Sequence, residues 1–288
     1  IARSAPDSLT NSRIAAAITE PGVYDLAPEV YHADPVAGGS LSASAAKKLL
    51  ACPARYRYEL THPKPPKKEL DLGHAAHRLA LGVGAELVEV EADNWRTVAA
   101  QAAKAAAHAA GKTPLLSSEW AQVQAMHDAL AAHWAGHLLR GGCAEQVLVW
   151  RDEATGVWCR AMLDYRRGAR IVDYKTTSSA APSDLDDAVA RFGYDLQRAF
   201  YLDGVIALGL VEDPAFIFVA QEKEPPYLVS VFQLDADYAA IGAAKARRAR
   251  EMWRDCTAAG VWPGYPGTED VITISPPRWA RNRSEEYI

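Results

Sequence analysis

The stretch from Cys159 to Thr177, CRAMLDYRRGARIVDYKTT, limits what this chain can fold into more than any other. Two β-prone runs flank Gly168, where the backbone has to reverse, so the pattern predicts a hairpin with Gly168 and Ala169 at its tip. In that register Asp164 falls opposite Asp173. Opposed residues share a face of a sheet, as do residues two apart on one strand, so Asp164, Asp173 and Lys175 are expected to project together. A slip of one residue would send them apart.

Such a trio has a chemistry. Two adjacent carboxylates repel when both are ionised, and a divalent cation relieves the repulsion. Oxygen ligands select a hard ion, Mg²⁺ or Mn²⁺. A lysine beside the ion can orient or deprotonate a water and stabilise charge developing on a phosphate, which makes the trio a phosphodiester hydrolysis site. The competing reading is a surface hairpin whose charges merely pair.

The rest of the composition sets bounds. With 288 residues, 49% of them hydrophobic and 23% charged, the chain has the material of a globular protein with a large core. No apolar run reaches the length of a membrane span and no basic-then-apolar leader opens the sequence, so a cytoplasmic location is expected. Cys52, Cys143, Cys159 and Cys256 are far apart with no CxxC pair, which argues against disulfides and a local zinc site. The net charge of -5 excludes a uniformly basic surface but not a local one. Lys47, Lys48, Arg55, Arg57, Lys64, Lys67 and Lys68 cluster against the single acid Glu59, and Lys245, Arg247, Arg248 and Arg250 form a second cluster. Both are expected to grip DNA phosphates.

Residues 1–40 read as an irregular N-terminal arm and 41–288 as a single domain. Helices are expected from Leu41 with Ser42 or Ser44 as cap, from Pro53 through Tyr56, Tyr58 and Leu60, over Leu70–Leu81, over Trp95–Ala110 and over Ser117–Leu139 with Trp120, Val123, Met126, Leu130 and Trp134 on one face. Pro63–Lys68 reads as a stiff basic linker. Glu145–Trp150 is a strand, and Glu145 is either an acid approaching the hairpin from a neighbouring strand or an ordinary strand-end charge. A helix interrupted near Gly193 follows, then strands at Phe216–Ala220 and Tyr227–Leu234 around Glu224-Pro-Pro, a long helix over Asp235–Ala259, and a short strand at Val271–Ile274 in a tail with Arg278, Arg281 and Arg283. The layout is α/β with a mixed central sheet.

Several motifs fall in one order. Gly73 to His77 reads G-x-x-x-H on a helix, Asp164 and Asp173-Tyr174-Lys175 supply an acid followed by D-x-K, and Gln197 to Tyr201 reads Q-x-x-x-Y on the next helix. Together they resemble the PD-(D/E)XK nuclease superfamily, in the branch with RecB-type domains and the nuclease domain of exodeoxyribonuclease VIII, from about Gly22 to Trp279. Tyr24-Asp25, Leu41-Ser-Ala-Ser and Cys52-Pro53 look like the start of the exodeoxyribonuclease VIII group. The resemblance implies a restriction-endonuclease-like core of mixed sheet flanked by helices. It implies that Asp164, Asp173, His77, the Tyr174 carbonyl and an upstream acid, for which Glu145 is the candidate, hold Mg²⁺, with Mn²⁺ able to substitute. It implies that Lys175 activates the water, with Gln197 and Tyr201 lining the site and Gln197 turned toward DNA or Lys175.

By the same resemblance the substrate is DNA, as double-stranded ends cut exonucleolytically during recombination, with a ring-shaped homo-oligomer and a single-strand-annealing partner as possible company. Rival readings are a structure-specific or single-strand nuclease, a silent DNA-end-binding module and a structural protein. Iron-sulfur relatives of the branch use one cysteine near the N-terminus and three clustered near the C-terminus. Here only Cys256 lies in the C-terminal region, so no iron-sulfur cluster is expected and Cys52 reads as a packed helix-end residue.

Overall fold

The computed structural model describes residues 17–62, 71–265 and 271–284. The Pro63–Lys68 linker, and with it Lys64, Lys67 and Lys68, lies outside the described residues. Six strands make the central sheet: β1 (Gly22–Tyr24), β4 (Cys143–Arg151), β5 (Trp158–Arg167), β6 (Arg170–Thr177), β7 (Ala215–Glu222) and β8 (Val229–Phe232), adjacent in that order. All neighbours run antiparallel except β6 and β7, which are parallel. The sheet is therefore mixed, as expected. β2 (Leu87–Val90) and β3 (Thr113–Leu116) form a separate parallel pair.

Ten helices lie among the described residues. One face of the sheet is covered by α2 (Ala43–Ala51), α8 (Tyr194–Ala207) and α9 (Ala236–Ala259), whose Leu49, Phe200 and Ala246 pack with Leu148, Leu163 and Phe218 of the strands. The other is covered by α4 (Asp71–Leu81) and α6 (Ser117–Ala132), whose Ala76, Val123 and Met126 pack with Tyr165, Val172 and Tyr174. Buried aliphatic and aromatic side chains on both faces of its middle strands give this sheet the two-sided core of an α/β architecture. Ser42 caps α2 by accepting from Ala45 N at 3.3 Å. Gly193, at φ +72°, separates α7 (Pro182–Phe192) from α8. The remaining helices are α1 (Pro28–His32), α3 (Pro53–Thr61), α5 (Val98–Ala109) and α10 (Arg278–Ser284).

Several expectations need correction. Residues expected to form an irregular arm contain β1, which extends the sheet beside β4, and α1. The helix expected over Ser117–Leu139 breaks at His133, which accepts from Ala135 N and caps a 3₁₀ turn over Trp134–Leu139. Trp134 leaves the apolar face and stands 59% exposed. Val271–Ile274 is not a strand, because β-prone residues need a partner edge and none pairs with them among the described residues. No helix among the described residues is long and apolar enough to cross a membrane.

The basic clusters are partly consumed by the fold. Lys47 donates to the Arg191 and Phe192 carbonyls at the end of α7, Lys48 pairs with Glu59 at 2.9 Å, and Arg55 and Arg57 lie over the Tyr265 and Trp262 rings. Lys245 pairs with buried Asp195, and buried Arg250 bridges Asp152 and Asp203. Arg247 and Arg248 stay exposed on α9.

Candidate active site

The β5–β6 hairpin turns at Gly168 and Ala169, pairing Arg167 with Arg170, Arg166 with Ile171 and Tyr165 with Val172. That is the expected register, but the ladder stops one step short of Asp164 and Asp173. Leu163 packs in the α8-side core and Tyr165 in the α4-side core, so β5 changes face at Asp164. On the neighbouring strand Ala144 pairs with Tyr165 and Gln146 with Leu163, leaving Glu145 beside Asp164 without a ladder partner and at φ +48°. A non-glycine residue in that region costs on the order of 1 kcal/mol or more and marks local strain held by its surroundings. The acids thus meet where strands part, rather than on one continuous face.

Side chains from three strands, β4, β5 and β6, and two helices, α4 and α8, converge at this opening. From α4, His77 places Nε2 3.3 Å from Asp164 Oδ2 and Nδ1 3.6 Å from Glu145 Oε1. Asp164 Oδ2 also accepts from Tyr174 N at 2.9 Å. From α8, Gln197 donates to Asp173 Oδ2 at 2.6 Å. Lys175 Nζ pairs with the other oxygen, Asp173 Oδ1, at 2.5 Å. Gln197, expected to face DNA or Lys175, thus meets Asp173 and not Lys175. Tyr201, one turn further along α8, hydrogen-bonds to Gln197 and packs on Phe216.

Charge is unevenly matched here. Burial, reinforced by the negative charge of Asp164, pushes the Asp173 carboxyl up to about 7, against the pull of Lys175. Burial acts on Asp164 too, but the hydrogen bond and charge of His77 outweigh it and hold Asp164 below the usual carboxylate range. His77 is disfavoured as a cation by burial, yet Asp164 and Glu145 raise it above its ordinary value. Lys175 likewise loses to burial less than it gains from Asp173 and Asp164, and stays protonated. Two carboxylates with proton affinities driven apart are a pattern of functional sites.

The donor set suits a hard divalent cation: carboxylates from Asp164, Asp173 and Glu145, with an imidazole beside them. The charge of Asp164 that raises the Asp173 proton affinity is the repulsion such an ion would relieve. Among the described residues no three His, Cys, Asp or Glu side chains are gathered as a ready-made cage. Mg²⁺ rarely uses one, since it binds through one or two carboxylates and keeps several waters. In this arrangement the His77 ring lies between Asp164 and Glu145.

Three features escape a sequence reading. The Tyr174 phenol turns away from the acids and donates to Gln221 Oε1 at 2.6 Å, while Gln221 donates to the Met126 carbonyl at 2.7 Å, anchoring β6 from behind. Gln221 is fully buried, and it lies one residue past the strand expected over Phe216–Ala220, so no sequence signal marks it. Tyr194 sits beneath Lys175, with the ammonium 5.3 Å from its ring centroid; its signal is the spacing of three residues before Gln197. Glycine at Gly73 matters less than its motif suggests, because a Cβ there would meet Thr176 Oγ1 at 3.5 Å, an ordinary contact.

The family model of a PDDEXK-like domain of unknown function, DUF3799, matches residues 42–274. The chain belongs to this PDDEXK-like family, and so to the PD-(D/E)XK nuclease superfamily. No curated protein matches. Among solved structures, a Eubacterium rectale protein described as a candidate exonuclease is similar at 15% identity and a TM-score of 0.62, over 90% of this chain and 98% of its own. At that identity the likeness speaks for the fold, which is the restriction-endonuclease-like one.

Proposed function

We propose that this PDDEXK-like chain is a Mg²⁺-dependent deoxyribonuclease, an exonuclease that hydrolyses phosphodiester bonds from double-stranded DNA ends in recombination. The observation that carries the reading is the meeting of Asp173 and Lys175, 2.5 Å apart, with a second buried carboxylate, Asp164, which is itself 3.3 Å from His77. Its superfamily membership supports hydrolysis, and the fold neighbour described as a candidate exonuclease supports the mode.

Asp164, Asp173 and His77 would hold the cation, with Glu145 and the Tyr174 carbonyl as further ligands. When bound, the ion supplies the positive charge that activates a water and neutralises phosphate oxygens. The chain's own residues do the rest. Lys175, held protonated between Asp173 and the Tyr194 ring, orients the attacking water and donates to the negative charge growing on the phosphate. Gln197 fixes the Asp173 carboxylate, and Tyr201 fixes Gln197. His77 would hold the ion as the neutral imidazole.

Linear and covalently closed duplexes of one sequence, incubated with Mg²⁺, test this. Linear duplex should be degraded and the closed circle spared. Degradation that persists in EDTA or in Asp173→Ala would sink the mechanism, while cleavage of the circle would remove the exonuclease mode alone.

A further inference from the structure

Four aromatic rings form a column that begins in the core and ends at the surface beside Lys175. Phe232 and Phe218 stack with centroids 5.0 Å apart and 13° between planes. Phe218 and Tyr194 follow at 5.5 Å and 23°, then Tyr194 and Phe192 at 5.9 Å and 26°. Phe218 is fully buried and stands in register with Asp173 across β6 and β7, so the column is fixed to the strand that carries the acid. Gly193, in the left-handed conformation, turns the chain between the last two rings.

The outermost ring is the one that core packing does not explain. Phe192 is 52% exposed. Two exposed cations flank it, with Lys47 Nζ 6.0 Å and the Arg191 guanidinium 5.6 Å from its centroid. Inward, the next ring carries the Lys175 ammonium. The proposed catalytic lysine and an open aromatic face are thus two contacts apart, a span of only a few nucleotides at about 3.4 Å of rise per stacked base.

We infer that Phe192 is a stacking platform for an unpaired nucleobase of the strand being cut, with Arg191 taking an adjoining phosphate and Lys47 tying the end of α7 in place. The inference rests on the nuclease reading above. An aromatic face among cations is how proteins hold single strands without reading sequence, since every base offers a π-face and every linkage a charge. Inside a duplex both faces of a base pair are covered by its neighbours, so a base that stacks on Phe192 from within the strand is one already separated from its complement.

The test uses the full chain with Phe192→Ala, Phe192→Leu and Phe192→Trp. A single-stranded oligonucleotide bearing 2-aminopurine reports stacking by fluorescence quenching in EDTA, and steady-state cleavage with Mg²⁺ separates KM from kcat. Wild type should quench. Phe192→Ala should lose the quench and raise KM about tenfold or more, with kcat within about twofold, as expected for one base–aromatic stack. Phe192→Trp should restore both and Phe192→Leu neither. Arg191→Ala should lower the salt dependence of binding by about one unit of log–log slope.

Absence of quenching in wild type, or an unchanged KM in Phe192→Ala, would overturn the platform. So would rescue by leucine equal to that by tryptophan, which would make the ring mere packing. If the alanine variant does not fold, the leucine and tryptophan pair decides. A wild type that cuts DNA while these results fail removes only the platform; a wild type that cuts no DNA removes the nuclease reading as well.

Discussion

Two buried aspartates each meet a lysine at nearly one distance, Asp173 with Lys175 at 2.5 Å and Asp195 with Lys245 at 2.6 Å. Both are about 1% exposed. Their settings differ. Asp195 stands where α8 and α9 touch, and a Cβ on Gly242 of α9 would come within 2.2 Å of its carbonyl oxygen. Asp173 faces a second carboxylate, Asp164, across a gap between strands, and its proton affinity rises to about 7. The same ion pair is thus a lock between helices in one place and an unfinished charge balance in the other. A buried pair alone says little; the second carboxylate is what turns it into a candidate site.

That contrast can be broken by mutation. The largest effect expected is on activity: Asp173→Ala should lower cleavage by at least about a thousandfold, since it removes the cation's charge partner, and should leave the melting temperature near or above wild type. Gly242→Ala should do the reverse, costing about 3 kcal/mol in urea unfolding through the clash with Asp195, with cleavage per folded molecule unchanged. Asp195→Ala should cost about 2 kcal/mol, less than a fully buried pair because the Lys245 side chain is 41% exposed.

The crowded charge around Asp173 should also show in the pH dependence of stability. In the cation-free protein, folded Asp173 keeps a proton up to about pH 7 that the unfolded chain releases near pH 4, so stability should fall as pH rises through that window. His77 acts with the same sign: its raised affinity stabilises the fold at low pH, and that contribution disappears as pH climbs through its folded value. Thermal melts in EDTA should show this slope, flattened in Asp173→Asn. Smallest of all, Gly73→Ala should be neutral or stabilising by under about 1 kcal/mol, since the site has room and alanine favours a helix.

Much of the site was legible in the sequence because its parts are local. The hairpin register follows from one glycine turn, and His77, Gln197 and Tyr201 each lie on helices whose periodicity is plain. What the sequence hid is long-range. The β2–β3 pair joins Leu87–Val90 to Thr113–Leu116, and no local pattern shows which short run will find which. The break of α6 at His133 depends on where the chain must leave the sheet, and the β-prone Val271–Ile274 reads as a strand only if an edge is assumed for it. Lys245 and Arg250 look like a DNA-binding stripe until α8 brings Asp195 and Asp203 against them. The Phe232–Phe218–Tyr194–Phe192 column draws on three separate segments and has no linear signature.

Isothermal titration of Mn²⁺ into wild type, Asp173→Ala and Asp195→Ala tests the central claim most directly. The account predicts saturable binding in wild type and in Asp195→Ala, with proton release that varies with buffer ionisation heat, and its loss in Asp173→Ala. Binding in Asp173→Ala as tight as in wild type, or no binding by wild type, would contradict it.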